Sequence, residues 1–420
     1  METVDDTFKF VEDFSFSSIL GNKKFLFGFC YFYVYFLCCT FNLYFLIMFK
    51  NAPAASSESS YLTITEPNDM KAAVYRENNK DPRKVVKIED IEIPKIKHNQ
   101  VLIKVEAASY NYDDLWGIWG EPIKIPLPHI SGSDISGTVV DVGENVLGIK
   151  KGDRIVGHST LTCRICKECT SGKEYDCRHR QVWGFQTGPL WGGFAQYTYL
   201  PEVNVIKIPD NVSFEDAAAI SMVGVTSWHM LVTRANIQPG QTVLIMGGGS
   251  GMGIAGIQIA KLFNCNVIAT AGTQEKMDKC LELGADHVVN HRQPDWYKNV
   301  RNLTANNQGG IDIIFEHIGK SVFPKEVSLL NMGGTLVSTG ATTGYDSEID
   351  LRYLFFRGLN ILGSTQGSRA ELDEVIKWIS KGKIKVIIDT IYPFESMVEG
   401  HIKMMESQLF GKLITTPQKL

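Results

Sequence analysis

Twenty residues near the middle of the chain, TVLIMGGGSGMGIAGIQIAK (242–261), restrict its fold more than any other stretch. The branched apolar run at the start reads as a buried strand, and GIAGIQIAKLF reads as a helix. Glycines between the two let the backbone approach a pyrophosphate, while the helix N-terminus offers unpaired N–H groups and a positive potential. A literal GxGxxG match falls on Gly251, Gly253 and Gly256, but Gly256 would then lie a full turn inside the helix. The better register uses Gly248, Gly251 and Gly253, with Ser250 where a central glycine usually stands and Met252 inside the turn. Simple turn chemistry is the alternative. The strand and helix on either side favour a dinucleotide site.

The surrounding text keeps the same grammar. SFEDAAAISMVGVTSWHMLV reads as helices, with Ser213 as N-cap and Glu215 and Asp216 in the first turn. NVIAT, HVVN, IDIIFEHIG, GGTLVSTG and LNILGS then read as strands, with EKMDKCLELG as one of the helices between them. Such alternation specifies a parallel, doubly wound α/β sheet. Residues 71–110 differ: AAVY, VVKIEDIEI and VLIKVEAASY are short strands punctuated by Pro and Gly, and a β-rich, barrel-like domain is expected there. After the helix ELDEVIKWISKG, the segment VIIDTIYPF reads as a strand returning to that first domain. The division expected is 1–69 extension, 70–222 β-rich domain, 223–364 dinucleotide domain and 365–420 return, which a chain of 420 residues accommodates. With 42 basic against 46 acidic residues, the composition gives no reason to expect a nucleic-acid partner.

Cofactor choice is written after the second strand, in NVIATAGTQEK. An Asp or Glu there would hold the ribose hydroxyls of NAD. Ala271, Gly272 and Thr273 stand instead, with Lys276 following, so a 2′-phosphate would meet a hydroxyl and a cation. NADP(H) is the expected cofactor. The alternative is that Thr273 and Lys276 only cap and solvate the next helix.

Four of the nine cysteines, Cys163, Cys166, Cys169 and Cys177, crowd into CRICKECTSGKEYDC. Four thiolates make a closed tetrahedral site, which describes one structural zinc without an open position for chemistry. Two disulfides or unrelated thiols are the competing reading.

The 25 residues 25–49, FLFGFCYFYVYFLCCTFNLYFLIMF, carry no charge and are bracketed by Lys23, Lys24 and Lys50. They are long enough for a transmembrane helix, and possible membrane attachment follows. A polar stretch, NAPAASSESSYLTITEPND, separates them from the enzyme-like text beginning at Met70. The other reading is a dispensable extension, with Met48 or Met70 as the start, leaving a cytoplasmic enzyme.

From Met70 to about Ile414 the chain resembles the zinc-containing alcohol dehydrogenase and quinone reductase superfamily of medium-chain dehydrogenases/reductases. The likeness is carried by NYDDLW, PLPHISGSDISGTVVDVGENV, WGGFAQYTYLP, GVTSWHML, ATTGYDSEIDLRYLFFRGLNILGSTQGSRAEL and a late FGK. It implies a GroES-like catalytic domain interrupted by a Rossmann domain, an active site in the cleft between them, and a homodimer or homotetramer. It also implies nicotinamide contacts from Thr226, Thr339, Gly340 and Ala341, while His291 replaces a Tyr often found near the adenosine.

At the positions aligned with the catalytic-zinc ligands of alcohol dehydrogenases stand Asn111, Ser133 with Asp134, and Met222. That set does not hold a catalytic zinc in the usual way, although His129 and His158 lie near in sequence. The expected reaction is therefore hydride transfer from NADPH to a small-molecule quinone, enone or related carbonyl. Asn111 and Tyr112 would serve as proton or hydrogen-bond donors and Asp114 would orient them. Against this, Asp114 suits a helix cap and Tyr112 a core position. Trp116, Trp119, Trp183 and Trp191 suggest an aromatic pocket. Two other functions stay open: a zinc alcohol dehydrogenase with substitute ligands, and a membrane-associated NADPH-binding protein with little turnover.

Overall fold

The computed structural model describes residues 68–305 and 310–419, so the apolar segment 25–49 lies outside the described residues. Among these, no helix is long and apolar enough to cross a membrane.

Six parallel strands form the dinucleotide-type sheet: β1 (Thr242–Ile245), β2 (Asn266–Ala271), β3 (His287–Asn290), β4 (Ile311–Glu316), β5 (Leu330–Ser338) and β6 (Asn360–Gly363). Their spatial order is β3-β2-β1-β4-β5-β6, with the switch point beside β1. All four residues of β1 are buried, because a parallel strand covered by helices on both faces has no polar side. Ile245, Ile257, Val267 and Phe315 belong to one apolar cluster under the glycine turn. The outermost strand, β6, is largely exposed, and the helix Leu351–Arg357 before it leaves Leu351, Phe355 and Phe356 in solvent.

The second large sheet is built on Gln100–Ser109, which pairs antiparallel with Asp134–Val142, Tyr197–Pro201 and the C-terminal strand Lys412–Thr416. Ile388–Pro393 adds to that last strand in parallel. Its core gathers Val101, Ile103, Ile135, Phe194 and Leu200. The expected α/β architecture is thus present, and the C-terminal segment contributes two strands to the β-rich sheet. The boundary expected at 222 falls inside one continuous helix, Phe214–Trp228, capped by the Ser213 hydroxyl, which accepts from the Asp216 N–H at 3.0 Å.

The C-terminal return positions the site. Gly411 donates its N–H to the Gly249 carbonyl at 3.0 Å and bridges Ser250, so the strand Lys412–Thr416 starts directly against the glycine turn.

Candidate active site

A cleft of about 400 Å³ runs between the glycine turn and the β-rich sheet. Gly247, Gly249, Ser250, Gly251 and Met252 line one side, and Tyr110, Asn111, Tyr112 and Lys412 line the other. The turn needs its glycines for two separate reasons. Gly247 takes a left-handed φ of 59°, which side chains other than glycine seldom adopt. Gly253 packs so closely that an added Cβ would lie 2.3 Å from the Gly247 carbonyl oxygen. Ser250 is the N-cap of the helix Gly251–Leu262; its hydroxyl accepts from the Gly253 N–H at 3.0 Å and donates to the Gly247 oxygen at 2.8 Å. The first N–H groups of a helix have no partner within it, and here they belong to the cleft-lining Gly251 and Met252. Gly248 stands behind the turn and donates to the Thr270 oxygen at 2.7 Å. Gly247 was not singled out by sequence reading, and Gly256 lies within the helix as the preferred register requires.

At the far end of β2 the cleft is basic. A Cβ on Gly272 would lie 2.9 Å from Arg292 Nε and 3.1 Å from His291 Nε2, and Lys276 shares this corner. Burial, then the neighbouring Arg292 charge, push the Lys276 pKa down; burial followed by Arg292 and Lys276 does the same to His291. None of the described residues lining the cleft is acidic. Lys276 Nζ donates to the Ser407 carbonyl at 3.1 Å, and the Thr273 hydroxyl accepts from the Lys276 N–H at 3.3 Å, so Thr273 caps the helix Gln274–Glu282. Sequence reading missed Arg292, whose place beside Gly272 depends on how the loop after β3 folds back.

The cleft floor is a buried polar cluster. Asn111 Nδ2 donates to Asp134 Oδ2 at 2.8 Å, and Asn111 Oδ1 accepts from Lys412 Nζ at 2.5 Å. Lys412 also donates to the Tyr110 carbonyl at 2.6 Å, and its Nζ lies 3.7 Å from Asp134 Oδ2. The other oxygen of Asp134 accepts from the Met222 N–H at 2.9 Å. Burial pushes the Lys412 pKa down and that of Asp134 up, each opposed by the other's charge. A metal ion here would have to displace the ammonium and strip Asp134 of its donors, so this donor set does not fit one. Asp114 takes the capping place: its oxygens accept from the N–H groups of Asn111 at 2.8 Å and Gly132 at 2.9 Å. Burial and then the neighbouring Asp113 hold its pKa well above the carboxylate range. It touches Asn111 through the backbone and does not reach the Asn111 amide or Tyr112 hydroxyl. Asp113 itself accepts from the Ser133 hydroxyl at 3.1 Å, and burial followed by the Asp134 charge pushes it up to about 6.

Tyr112 lines the cleft half-buried, with its ring edge-on to Trp116 and Trp119 at 5.8 and 5.9 Å. The other two tryptophans are elsewhere: Trp183 is fully buried, and Trp191 stacks on Tyr199 at 4.8 Å. The pocket expected from four tryptophans is therefore corrected: none of the four is in the cleft lining, and Tyr112 presents its ring there, backed by Trp116 and Trp119. His129 and His158 bond the carbonyls of Gly184 and Gly367 at 3.2 and 3.1 Å, outside the cleft lining. On the remaining side His317, Ile318 and Thr342 line the cleft. Gly340 abuts the His317 carbonyl, its Cβ position only 2.6 Å away, and Ala341 packs on Gly319. Thr226 is buried on Phe214–Trp228, whose contribution to the lining is Val223.

Cys163, Cys166, Cys169 and Cys177 bring their sulfurs within 4.8 Å of one another, well away in sequence from the cleft residues. The sulfur of Cys163 lies 3.6 Å from that of Cys177 and 4.0 Å from that of Cys169. Zinc about 2.3 Å from each of four sulfurs separates them by about 3.8 Å, so the donor set fits. N–H groups of Ile165 and Cys166 directed at Cys163 lower its pKa. That of Cys166 is raised: the Cys169 N–H lowers it, but desolvation and the sulfurs of Cys169 and Cys163 outweigh that, so the four thiols share their protons and a metal would have to displace them.

Two family models cover these regions: the alcohol dehydrogenase GroES-like domain matches residues 97–210, and the zinc-binding dehydrogenase domain matches 251–381. An alcohol dehydrogenase of Geobacillus stearothermophilus is 32% identical over 352 residues, 82% of this chain and 99% of that protein. The chain belongs to the medium-chain dehydrogenase/reductase superfamily. Among other members, the quinone oxidoreductase of Homo sapiens is 29% identical over 77% of this chain and 91% of its own length. A crystal structure of an NAD-dependent alcohol dehydrogenase superposes with a TM-score of 0.78 at 37% identity, covering 83% of this chain and 99% of that one. A crotonyl-CoA carboxylase/reductase, AntE, in complex with NADP gives 0.77 at 26% identity, covering 84% and 95%. The GroES-like and Rossmann-like domains expected from sequence are therefore those of a dehydrogenase/reductase.

Proposed function

We propose that this medium-chain reductase uses NADPH to reduce a conjugated carbonyl, an enone or a quinone, and that the zinc it binds is structural. The observation that carries the reading is a cleft whose adenosine corner is basic and whose floor presents an ammonium bonded to an amide, with the buried Asp134 carboxylate behind the amide. The quinone oxidoreductase and the NADP-bound crotonyl-CoA carboxylase/reductase among its relatives support it.

NADPH, when bound, supplies the hydride. Lys276 and Arg292 would hold the 2′-phosphate, and the N–H groups of Gly251 and Met252 the pyrophosphate. His291 would pack against the adenosine, and the turn of Gly340 and Ala341 would border the nicotinamide. In an enone the β-carbon accepts the hydride, its π electrons shift onto the carbonyl oxygen, and water supplies the proton to the α-carbon; in a quinone the hydride and one proton from water give the hydroquinone, both added hydrogens ending on oxygen. Asn111 and Tyr112 donate hydrogen bonds where negative charge gathers. Asp114 keeps Asn111 in place by fixing its backbone, and the Tyr112 ring, held by Trp116 and Trp119 behind it, excludes water beside a planar substrate. Cys163, Cys166, Cys169 and Cys177 would hold the zinc. The exposed β6 edge with Phe355 and Phe356 is the surface proposed to pair two copies of the chain.

The test is NADPH oxidation by the full chain against a panel of enones, quinones and aldehydes. Turnover of enones or quinones supports the proposal. Turnover of aldehydes alone, with more than one zinc bound per chain, would establish an alcohol dehydrogenase instead.

A further inference from the structure

The cleft floor contains a lysine that nothing in the cofactor-binding or structural-zinc assignments requires. Its place follows from two glycines. Gly411 has a φ of 109° and sits so close to the preceding chain that a Cβ would lie 2.3 Å from the Ile387 oxygen. That turn sends the Lys412 stem past the start of the helix Gly251–Leu262, where only a glycine leaves room: a Cβ on Gly251 would be 2.6 Å from Lys412 Cδ. The ammonium ends on the Tyr110 carbonyl and on Asn111 Oδ1, in a residue only 6% exposed. Burying an ammonium is costly unless partners compensate, and here two carbonyl oxygens and the carboxylate of Asp134 do so.

This arrangement removes the ambiguity of the Asn111 amide. A lysine only donates and an ionised carboxylate only accepts, so Oδ1 must face Lys412 and Nδ2 must face Asp134. Asp134 takes one of the two Nδ2 hydrogens, and the second belongs to a side chain that lines the cleft. The ammonium on Oδ1 draws electron density from the amide and strengthens that remaining donor. Asn111, Ser133 with Asp134, and Met222 are the positions that the resemblance aligns with the catalytic-zinc ligands of alcohol dehydrogenases.

Resting on the reductase reading above, we infer that Lys412 is a positioning residue: it locks the Asn111 amide with one N–H toward the substrate oxygen and provides there the positive charge that a metal ion would otherwise supply. The substitution Lys412→Met keeps the stem that packs on Gly251 and removes only the charge.

Two readouts test it on the full chain. In turnover, Lys412→Met lowers kcat for an enone by about tenfold to a hundredfold while NADPH affinity, read by cofactor fluorescence, changes by less than about threefold. Asn111→Ala gives a similar loss, and the double variant is no slower than the worse single variant, because the lysine acts through the amide. In binding, with NADP+ present, a phenol serves as a mimic of the anionic oxygen, and its ionised fraction is read by absorbance. The wild type ionises the bound phenol more than solution at the same pH does, and Lys412→Met reduces that ionised-to-neutral ratio by about tenfold or more. Lys412→Arg, which keeps the charge, retains part of both effects and shows that the site still folds. Unchanged phenol ionisation in a folded Lys412→Met protein overturns the inference, as do additive losses in the double variant. A wild type that ionises phenol in a Lys412-dependent way but reduces no enone or quinone refutes the proposed reaction and leaves the role of Lys412 standing.

Discussion

Gly272→Asp puts the cofactor assignment under the most direct strain. Gly272 is not among the glycines with positive φ, so aspartate meets no backbone penalty there. Its Cβ would lie 2.9 Å from Arg292 Nε and 3.1 Å from His291 Nε2, both at the ends of side chains that can shift. The new carboxylate would pair with Arg292 and stand in the space assigned to the 2′-phosphate. A hydrogen bond to a charged group contributes about 1.5–3 kcal/mol, and because Arg292 is exposed the lower end applies after screening. Losing about 1.5 kcal/mol lowers kcat/KM for NADPH about tenfold. NADH has ribose hydroxyls that the carboxylate can accept from, so its kcat/KM holds or rises. The assay is the ratio of kcat/KM for the two cofactors in Gly272→Asp and, separately, in Arg292→Ala. Raising the salt concentration should narrow the wild-type preference, since exposed charges are screened within about 10 Å at 0.1 M. A ratio that moves by less than about threefold in both variants would show that the basic corner does not select the phosphate.

Metal analysis of the purified chain should give one zinc, released when the cysteines are modified with a mercurial; Cys177→Ser should lose the metal and lower the melting temperature while NADPH still binds, and retention of full zinc content would refute the four-sulfur site. His401 is buried against Tyr110 and Phe194 with neither ring nitrogen bonded, and burial pushes its pKa down to about 3. The unfolded chain therefore binds this proton first, near the ordinary value of about 6.5, so the native state loses stability as the pH falls below that. His401→Phe should gain about 3 kcal/mol over the wild type between pH 7 and about pH 4.5 in urea unfolding, and a constant difference across that range would be the contrary result. Phe356→Glu, on the exposed face beside β6, should convert a dimer to a monomer in sedimentation; identical sedimentation would place the interface elsewhere.

Local pattern carried much of the architecture. The β1 strand and the helix Gly251–Leu262 lie where the apolar run and glycine turn predict them, and Ser213 and Ser250 are caps because a short hydroxyl before a helix has few better partners. Period alone did not show that SFEDAAAISMVGVTSWHMLV holds one α-helix, Phe214–Trp228, that crosses the expected domain boundary and runs on into a π-helical turn, His229–Arg234. Nor did side-chain type place the tryptophans: Trp183 and Trp191 share their chemistry with Trp116 and Trp119, yet they pack in other surroundings. Asp114 shows the same ambiguity, since the carboxylate that could orient a donor is also an ideal first-turn acceptor, and its contacts are with backbone N–H groups.

Sequence by itself determined what is written within one turn or one loop: the parallel alternation, the glycine turn, the missing carboxylate after β2 and the four cysteines between residues 163 and 177. Those features depend on neighbours a few bonds away. Only the tertiary structure decided the cleft floor and the basic corner, because Lys412 meets Asn111 across 301 residues and Arg292 meets Gly272 through the fold of separate strands. A lone lysine in FGK or a lone arginine after a strand carries no mark of its partner. The sheet that the C-terminal strand joins supplies the partner, and with it the low-dielectric surroundings in which one ammonium and one amide act together.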